Sequence, residues 1–376
     1  RADCRFPYFL AHMFRSLNFF PFIRGWGVDV FFNPAEREDI AVEDLIRYWR
    51  MSGVRVIHAA AWQVFPEWTY DYRRLIHLAH NNAMRVYAWL EPPFVHNKFW
   101  QDHPEFREKN ALGEDADFTW RLPAAMGGAE ARAAALKEWR RILTEYKWDG
   151  VTINHLGFNT EWPLTPETTT PFSDSVRREF QNQHGFDPVE LFKPGSPHHH
   201  AVSRQDLQSF LAFRQSLSRT YLENLLDAIS GMQADLDKNL EILVAYDARR
   251  PDPGIDLSGI QALNSDYSIT WQYIPKEHDL WRPAASPFTV QQVRINPPAS
   301  GNAFAPGMPT RYPTGTGLYN RLLFLKNHGQ RIILFSESSL YEVDAHMLPF
   351  IASSGHHEAW TPNDVQVHAP HSGEII

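Results

Sequence analysis

A single cysteine, Cys4, among 376 residues excludes an intrachain disulfide, a four-cysteine zinc site and a dithiol redox pair together. No stretch reaches the roughly 20 uninterrupted apolar residues that a bilayer-spanning helix requires. Basic charge is not in excess either: the net charge of −8 and the isoelectric point near 6.1 run against a nucleic-acid binder, which needs a cationic face to neutralise phosphates. No glycine-rich phosphate loop follows the first apolar run, which continues as "VDVFFNPAERED", so a nucleotide-binding open sheet lacks its usual fingerprint. No internal repeat is visible.

Aromatic residues, by contrast, are plentiful at 14% with 13 tryptophans, and 43% of the chain is hydrophobic. That supply builds a sizeable core, and leaves indole rings to lie against planar ligands such as sugar faces. At 376 residues the chain exceeds the usual size of one domain, yet barrels with long loops reach this length as a single unit, and one domain over 1–376 is expected. The chain opens on "RADCRF", without Met, which reads as an internal boundary. A removed leader, and with it an exported (periplasmic or extracellular) location, is compatible with that opening.

Strand-like and helix-like runs alternate. Gly25 to Phe32 is strand-like and is followed by the helical "REDIAVEDLIRYWRMS". Val54 to Trp62 precedes the helical "YDYRRLIHLAHNNA", and "MRVYAWLE" follows. After a long loop, the helical "GAEARAAALKEWRRILTEYK" leads into the strand "WDGVTINHL". An insertion rich in Pro, Thr and His then runs over 157–203 around a short helix at "SDSVRREFQNQHG". A long amphipathic helix from Gln205 to about Ile229 leads to the strand "NLEILVAYD". The further strands are "SDYSITWQYI", "PFTVQQVRI" and, after the helix "TGLYNRLLFLKNHG", "QRIILFSES". Eight parallel strands with intervening helices predict an α/β fold, a (β/α)8 TIM barrel with long loops and an insertion after the fourth strand. A doubly wound open sheet is the alternative.

In such a barrel the carboxyl ends of the strands form one rim on which functional groups converge. The residues falling there are Asp29 or Asn33, Trp62, Glu91, Asn154 with His155, Asp247, Trp271 with Tyr273, Asn296 and Glu337. Carboxylates and aromatics alternate among them, a mixture suited to carbohydrate chemistry. Glycosidic cleavage takes one carboxyl as general acid and a second as base or nucleophile, while indole faces stack on the sugar.

The candidate catalytic carboxyls are therefore Glu91, ahead of the stiff Pro92-Pro93 pair, Glu337, Asp247 and Glu161, the last beside Trp162 in a loop. Trp62, Trp89, Asn154, His155, Trp271, Tyr273 and Asp29 are the candidate substrate-binding residues. Each carboxylate also admits a plainer reading as a helix cap or an ion pair; Arg249 and Arg250 follow Asp247 closely enough to pair with it. No metal or other cofactor is expected. "SGHHEAW" has the residues of a zinc site without the spacing, and the three histidines of "SPHHHAV" read as solvated.

The motifs "VYAWLEPP", "HPEF" and "WDGVTINHL" resemble the bacterial family-10-like glycoside hydrolases, as does the later "FSDSVRREFQNQHGFDPVELF". The layout is similar to the carboxy-terminal hydrolase domain of the poly-N-acetylglucosamine export protein of biofilm-forming bacteria. The resemblance covers about Gly25 to Ile274. It implies a barrel glycosidase acting on a bacterial polysaccharide, with Glu91 as the matched acidic residue of the third strand. One position departs from the pattern: where those relatives carry paired aspartates after the fourth strand, this chain has Asn154 and His155, and an amide cannot ionise. Either the acid has moved to Glu161, Asp247 or Glu337, or hydrolysis has been lost and a catalytically silent glycan-binding barrel remains. A barrel enzyme of unrelated chemistry, a lyase or isomerase, would call for a lysine base or a metal at the rim.

Overall fold

The computed structural model describes residues 28–61, 70–116, 122–154, 157–159, 164–236, 239–249, 255–276, 284, 288–294, 316–340 and 348. Its strands are β1 (Val28–Phe32), β2 (Val54–Ala60), β3 (Arg85–Leu90), β4 (Phe94–Val95), β5 (Leu122–Pro123), β6 (Gly150–Ile153), β7 (Glu241–Asp247), β8 (Ile269–Ile274), β9 (Phe288–Arg294) and β10 (Arg331–Phe335). The helices are α1 (Val42–Met51), α2 (Tyr72–Asn81), α3 (Asn97–Asp102), α4 (Ala129–Glu145), α5 (Asp174–His184), α6 (Arg204–Leu236), α7 (Leu257–Asp266) and α8 (Thr316–Asn327). Eight strands close into a barrel in the order β1-β10-β9-β8-β7-β6-β3-β2, and β4 with β5 forms a separate two-stranded ribbon. The (β/α)8 expectation holds.

The chain divides into two compact units, one of 1–59, 71–87 and 275–376, the other of 60–70 and 88–274. In the first, β1 pairs in parallel with β2 and β10, and β10 with β9. Successive side chains on a strand point to opposite faces, and two contacts reveal which is which. Phe32 meets Trp49 of α1 edge-on at 4.9 Å, so it faces the helix layer; Phe31 stacks on Phe335 at 4.5 Å and faces the barrel interior. Asp71 caps α2 through a bond from the Arg74 N–H at 3.0 Å, which meets one of the four N–H groups a helix start leaves unpaired.

In the second unit β6, β7 and β8 pair in parallel, with Thr152 beside Leu243 and Ala245 beside Gln272. The stretch 265–266, read from the sequence as the start of a strand, instead ends α7. Asp256 caps that helix by accepting from the Gly259 N–H at 2.7 Å, and the strand begins only at Ile269. The insertion after β6 packs on the first half of α6 through Phe172 on Phe210 at 5.2 Å and Phe180 on Phe213 at 5.3 Å. Helix α5 ends at Gly185, whose φ of 83° is the left-handed conformation that glycine adopts without a Cβ penalty. His198 of the histidine tract is engaged rather than solvated: it stacks flat on Phe186 at 4.0 Å, and its Nδ1 lies 2.9 Å from Asp206.

Candidate active site

Glu91 directly follows β3, at the carboxyl end of a strand whose last five residues are all buried. Its own carboxylate is buried, and the burial is matched with donors. The Trp89 indole N–H donates to Oε1 at 2.9 Å, and the Asn154 amide donates to the same oxygen at 3.3 Å. Asn154 is placed by the neighbouring strand, its backbone N–H donating to the Leu90 carbonyl at 2.8 Å. An oxygen that receives two N–H donors is an acceptor and has no geometry left for a proton of its own. The Asn154 side-chain oxygen is buried and has no hydrogen-bond partner among the described residues. Sequence reasoning placed Glu91 and Asn154 on the rim and named Trp89 as a stacking surface; the structure buries Trp89 completely and brings the three together.

The other carboxyls have different company. Arg249 grips Asp247 through both oxygens, with its Nε and backbone N–H on Oδ1 at 2.7 and 3.1 Å and its Nη2 on Oδ2. Glu337 is buried and receives Arg37 as a fork, Nε on Oε2 and Nη2 on Oε1, both at 3.1 Å. Both are the planar, charge-assisted pairs that fix a carboxylate in place. Beside the second, Glu36 accepts from Asn33 at 3.2 Å and from the hydroxyls of Ser336 and Ser338. Asp29 is not at a strand tip. It is the second residue of β1, facing the interior, where its Oδ2 takes Arg331 Nε at 2.6 Å and lies 3.3 Å from His58 Nε2.

Two expected stacking residues are turned elsewhere. The Trp271 indole N–H donates to Asn264 of α7, so the ring is buried in the helix layer outside the strand. Tyr273, two residues on, shares that face and stacks on Tyr246 at 6.5 Å. Trp62, His155, Glu161 and Asn296 lie outside the described residues. Among the described residues no group of three or more histidine, cysteine, aspartate or glutamate side chains is placed to hold a metal ion, and no helix is long and apolar enough to cross a membrane.

One carboxyl escaped sequence reasoning. Glu108 is fully buried, and its Oε1 accepts three backbone N–H groups, those of Lys109 and Ser173 at 2.9 Å and of Phe172 at 3.1 Å. Its Oε2 has no hydrogen-bond partner among the described residues. Burial pushes this carboxyl up to about 7, against the opposing pull of the three backbone donors and the Ser173 hydroxyl.

No protein family matches the chain, and no curated protein matches it in sequence. Solved structures do. The fold is that of barrel glycoside hydrolases. The β-galactosidase of the psychrophilic Marinomonas ef1 superposes with a TM-score of 0.58 at 12% identity, over 89% of this chain and 60% of that one. A family-42 β-galactosidase from G. stearothermophilus gives 0.61 at 12% identity, over 89% and 57%. The α-L-fucosidase isoenzyme 2 of Paenibacillus thiaminolyticus gives 0.50 at 12%, over 90% and 50%. The chain thus spans between half and three-fifths of the length of these proteins, and the likeness is one of fold.

Proposed function

We propose that the protein is a glycoside hydrolase acting on a bacterial exopolysaccharide, with Glu91 as base or nucleophile. The observation that carries the reading is the pair of N–H donors, from Trp89 and Asn154, on one oxygen of a carboxylate at the tip of a barrel strand. A carboxylate oriented in this way can accept a proton or attack an anomeric carbon. Asp247 and Glu337 are each held in an arginine fork. The proton donor is drawn from Glu161, Asp247 and Glu337. The barrel itself does not choose the sugar, since solved structures of this fold include a β-galactosidase and an α-L-fucosidase. The polysaccharide class rests on the family-10-like motifs around Glu91 and 148–156, and an exported location follows from such a substrate. The test is reducing-end release from a panel of bacterial exopolysaccharides. Wild type should release ends, and Glu91→Gln should lower the rate by about 10³-fold, within the range for loss of a positioned base, without loss of fold. Full activity in that variant refutes the assignment.

A second reading has its own support. With an amide at Asn154 and arginines neutralising Asp247 and Glu337, a barrel that binds glycan without cleaving it is chemically consistent. Retained glycan binding with no release from any member of the panel would establish it.

A further inference from the structure

Glu108 belongs to none of the roles above, yet the backbone around it leads to Glu91. The Phe94 N–H donates to the Glu91 carbonyl at 2.8 Å. Phe94 pairs with Pro123 in the ribbon of β4 and β5. The Glu108 N–H donates to the Pro123 carbonyl at 3.0 Å, and the Glu108 carbonyl accepts from Ala116 at 2.8 Å. From the other side, the single oxygen Oε1 of Glu108 collects the N–H groups of Phe172 and Ser173, at the entrance of α5, and that of Lys109. The Phe172 N–H is shared with the Lys109 carbonyl at 3.0 Å. One side chain therefore fastens the insertion to the ribbon on which the Glu91 segment rests.

We propose that Glu108 is a positioning residue for Glu91: a latch between insertion and ribbon that closes in its uncharged form and loosens when it ionises. The argument is one of acceptor geometry and solvation. With Oε1 committed to three donors, a proton on Glu108 resides on Oε2, the buried oxygen without a partner among the described residues. Losing that proton puts a charge on a fully buried carboxylate whose Oε2 has no partner among the described residues, and the donors on Oε1 offset only part of the cost of burial. The charged groups on the segments around it are engaged elsewhere. Arg214 of α6, fully buried, donates to the Asn159 carbonyl and lies over Phe158 and Phe210. Arg107 and Lys109 both hold Asp115; on α5 and just beyond it, Arg177 holds Asp187 and faces Asp174. Arg132 of α4 donates to the Met126 and Gly127 carbonyls. The ribbon residues themselves, Phe94, Val95, Leu122 and Pro123, carry no charge.

The idea rests on the reading of Glu91 above for its functional consequence, but its physical core is testable without it. Amide hydrogen exchange, corrected for intrinsic rates, is followed over 94–95, 122–124 and 170–174 at about pH 6 and about pH 8.5, either side of the titration. Wild type should lose protection in these segments at the higher pH by about tenfold. Glu108→Gln, which keeps an acceptor oxygen and cannot ionise, should be protected equally at both. Glu108→Ala should lose protection at both. Equal protection of wild type at the two pH values overturns the proposal, as does a Gln variant that follows wild type. If the Ala variant fails to fold, the Gln comparison alone decides. Should the exchange pattern hold while the wild-type chain releases no sugar, the latch stands and the hydrolase reading falls. Should the chain be active, the Gln variant is expected to keep kcat above about pH 8, where wild type declines, with KM unchanged.

Discussion

Asn154 gives Glu91 an N–H where a carboxyl would give it a second negative charge, and the difference is open to measurement. In Asn154→Asp the new oxygen stands in the place of an amide 3.3 Å from Glu91 Oε1. Two carboxylates at that distance do not both ionise readily, and the pair shares one proton. The expected outcome is one further raised carboxyl titration in the variant, beside that of Glu108, visible by carbon NMR of the labelled side chains; if no second one appears, the two groups swing apart. At the same scale, Glu108 shows where a linear reading stops. "EFREKNALGED" looks like a solvated polar loop, and two of the three donors that bury Glu108 lie 64 and 65 residues further on. No local pattern encodes that meeting. Glu91 was legible for the opposite reason: an apolar run that stops abruptly at an acid marks a strand tip by itself.

Among the elements, β1 and β10 meet along a parallel pairing, Asp29 beside Ile333, and the arginine fork from Arg37 to Glu337 ties the loops that leave them. Glu337 is almost wholly buried, while Arg37 keeps about a quarter of its side chain exposed. Removing the arginine leaves an uncompensated charge inside the protein, so Arg37→Ala should cost about 3 kcal/mol, read as a lower urea midpoint at unchanged m-value. The Glu108 latch makes a second prediction in the same measurement. Burial raises it to about 7 from the ordinary 4.5, so the folded chain holds the proton more tightly than the unfolded one. The associated stability is fully present below about pH 4.5 and is lost as pH rises through about 7, on the order of 3 kcal/mol in all. Relative to Glu108→Gln, wild type should fall in urea stability across that window and run parallel outside it. The helices and strands themselves were mostly readable from apolar spacing. Helix α7 was not: "LSGIQALNSD" is short and rich in Gly, Ser and Asn, weak helix formers, and its stability comes from the Asp256 cap and the buried Ile260 and Leu263.

For the molecule as a whole, a net charge of −8 sets a long-range condition on any glycan it meets. An anionic polysaccharide should bind more weakly at low ionic strength than at high, and a neutral one should be indifferent, because screening acts over about 10 Å at 0.1 M salt. Affinity electrophoresis across a salt series distinguishes the two. The barrel was legible at this scale because each β-then-α alternation survives in sequence; the partnership between insertion and core was not, because it depends on one long helix. The 33 residues of α6 amount to about 50 Å at 1.5 Å each, while the seven residues of β7, the strand it feeds, reach only about 23 Å. The first half of that rod has an oily flank, at Phe210 and Phe213, which Phe172 and Phe180 roof over. Trimming the 157–203 excursion to a short turn would therefore strip that roof and leave a sticky, water-facing spur; excursion and rod can be shortened only as a pair.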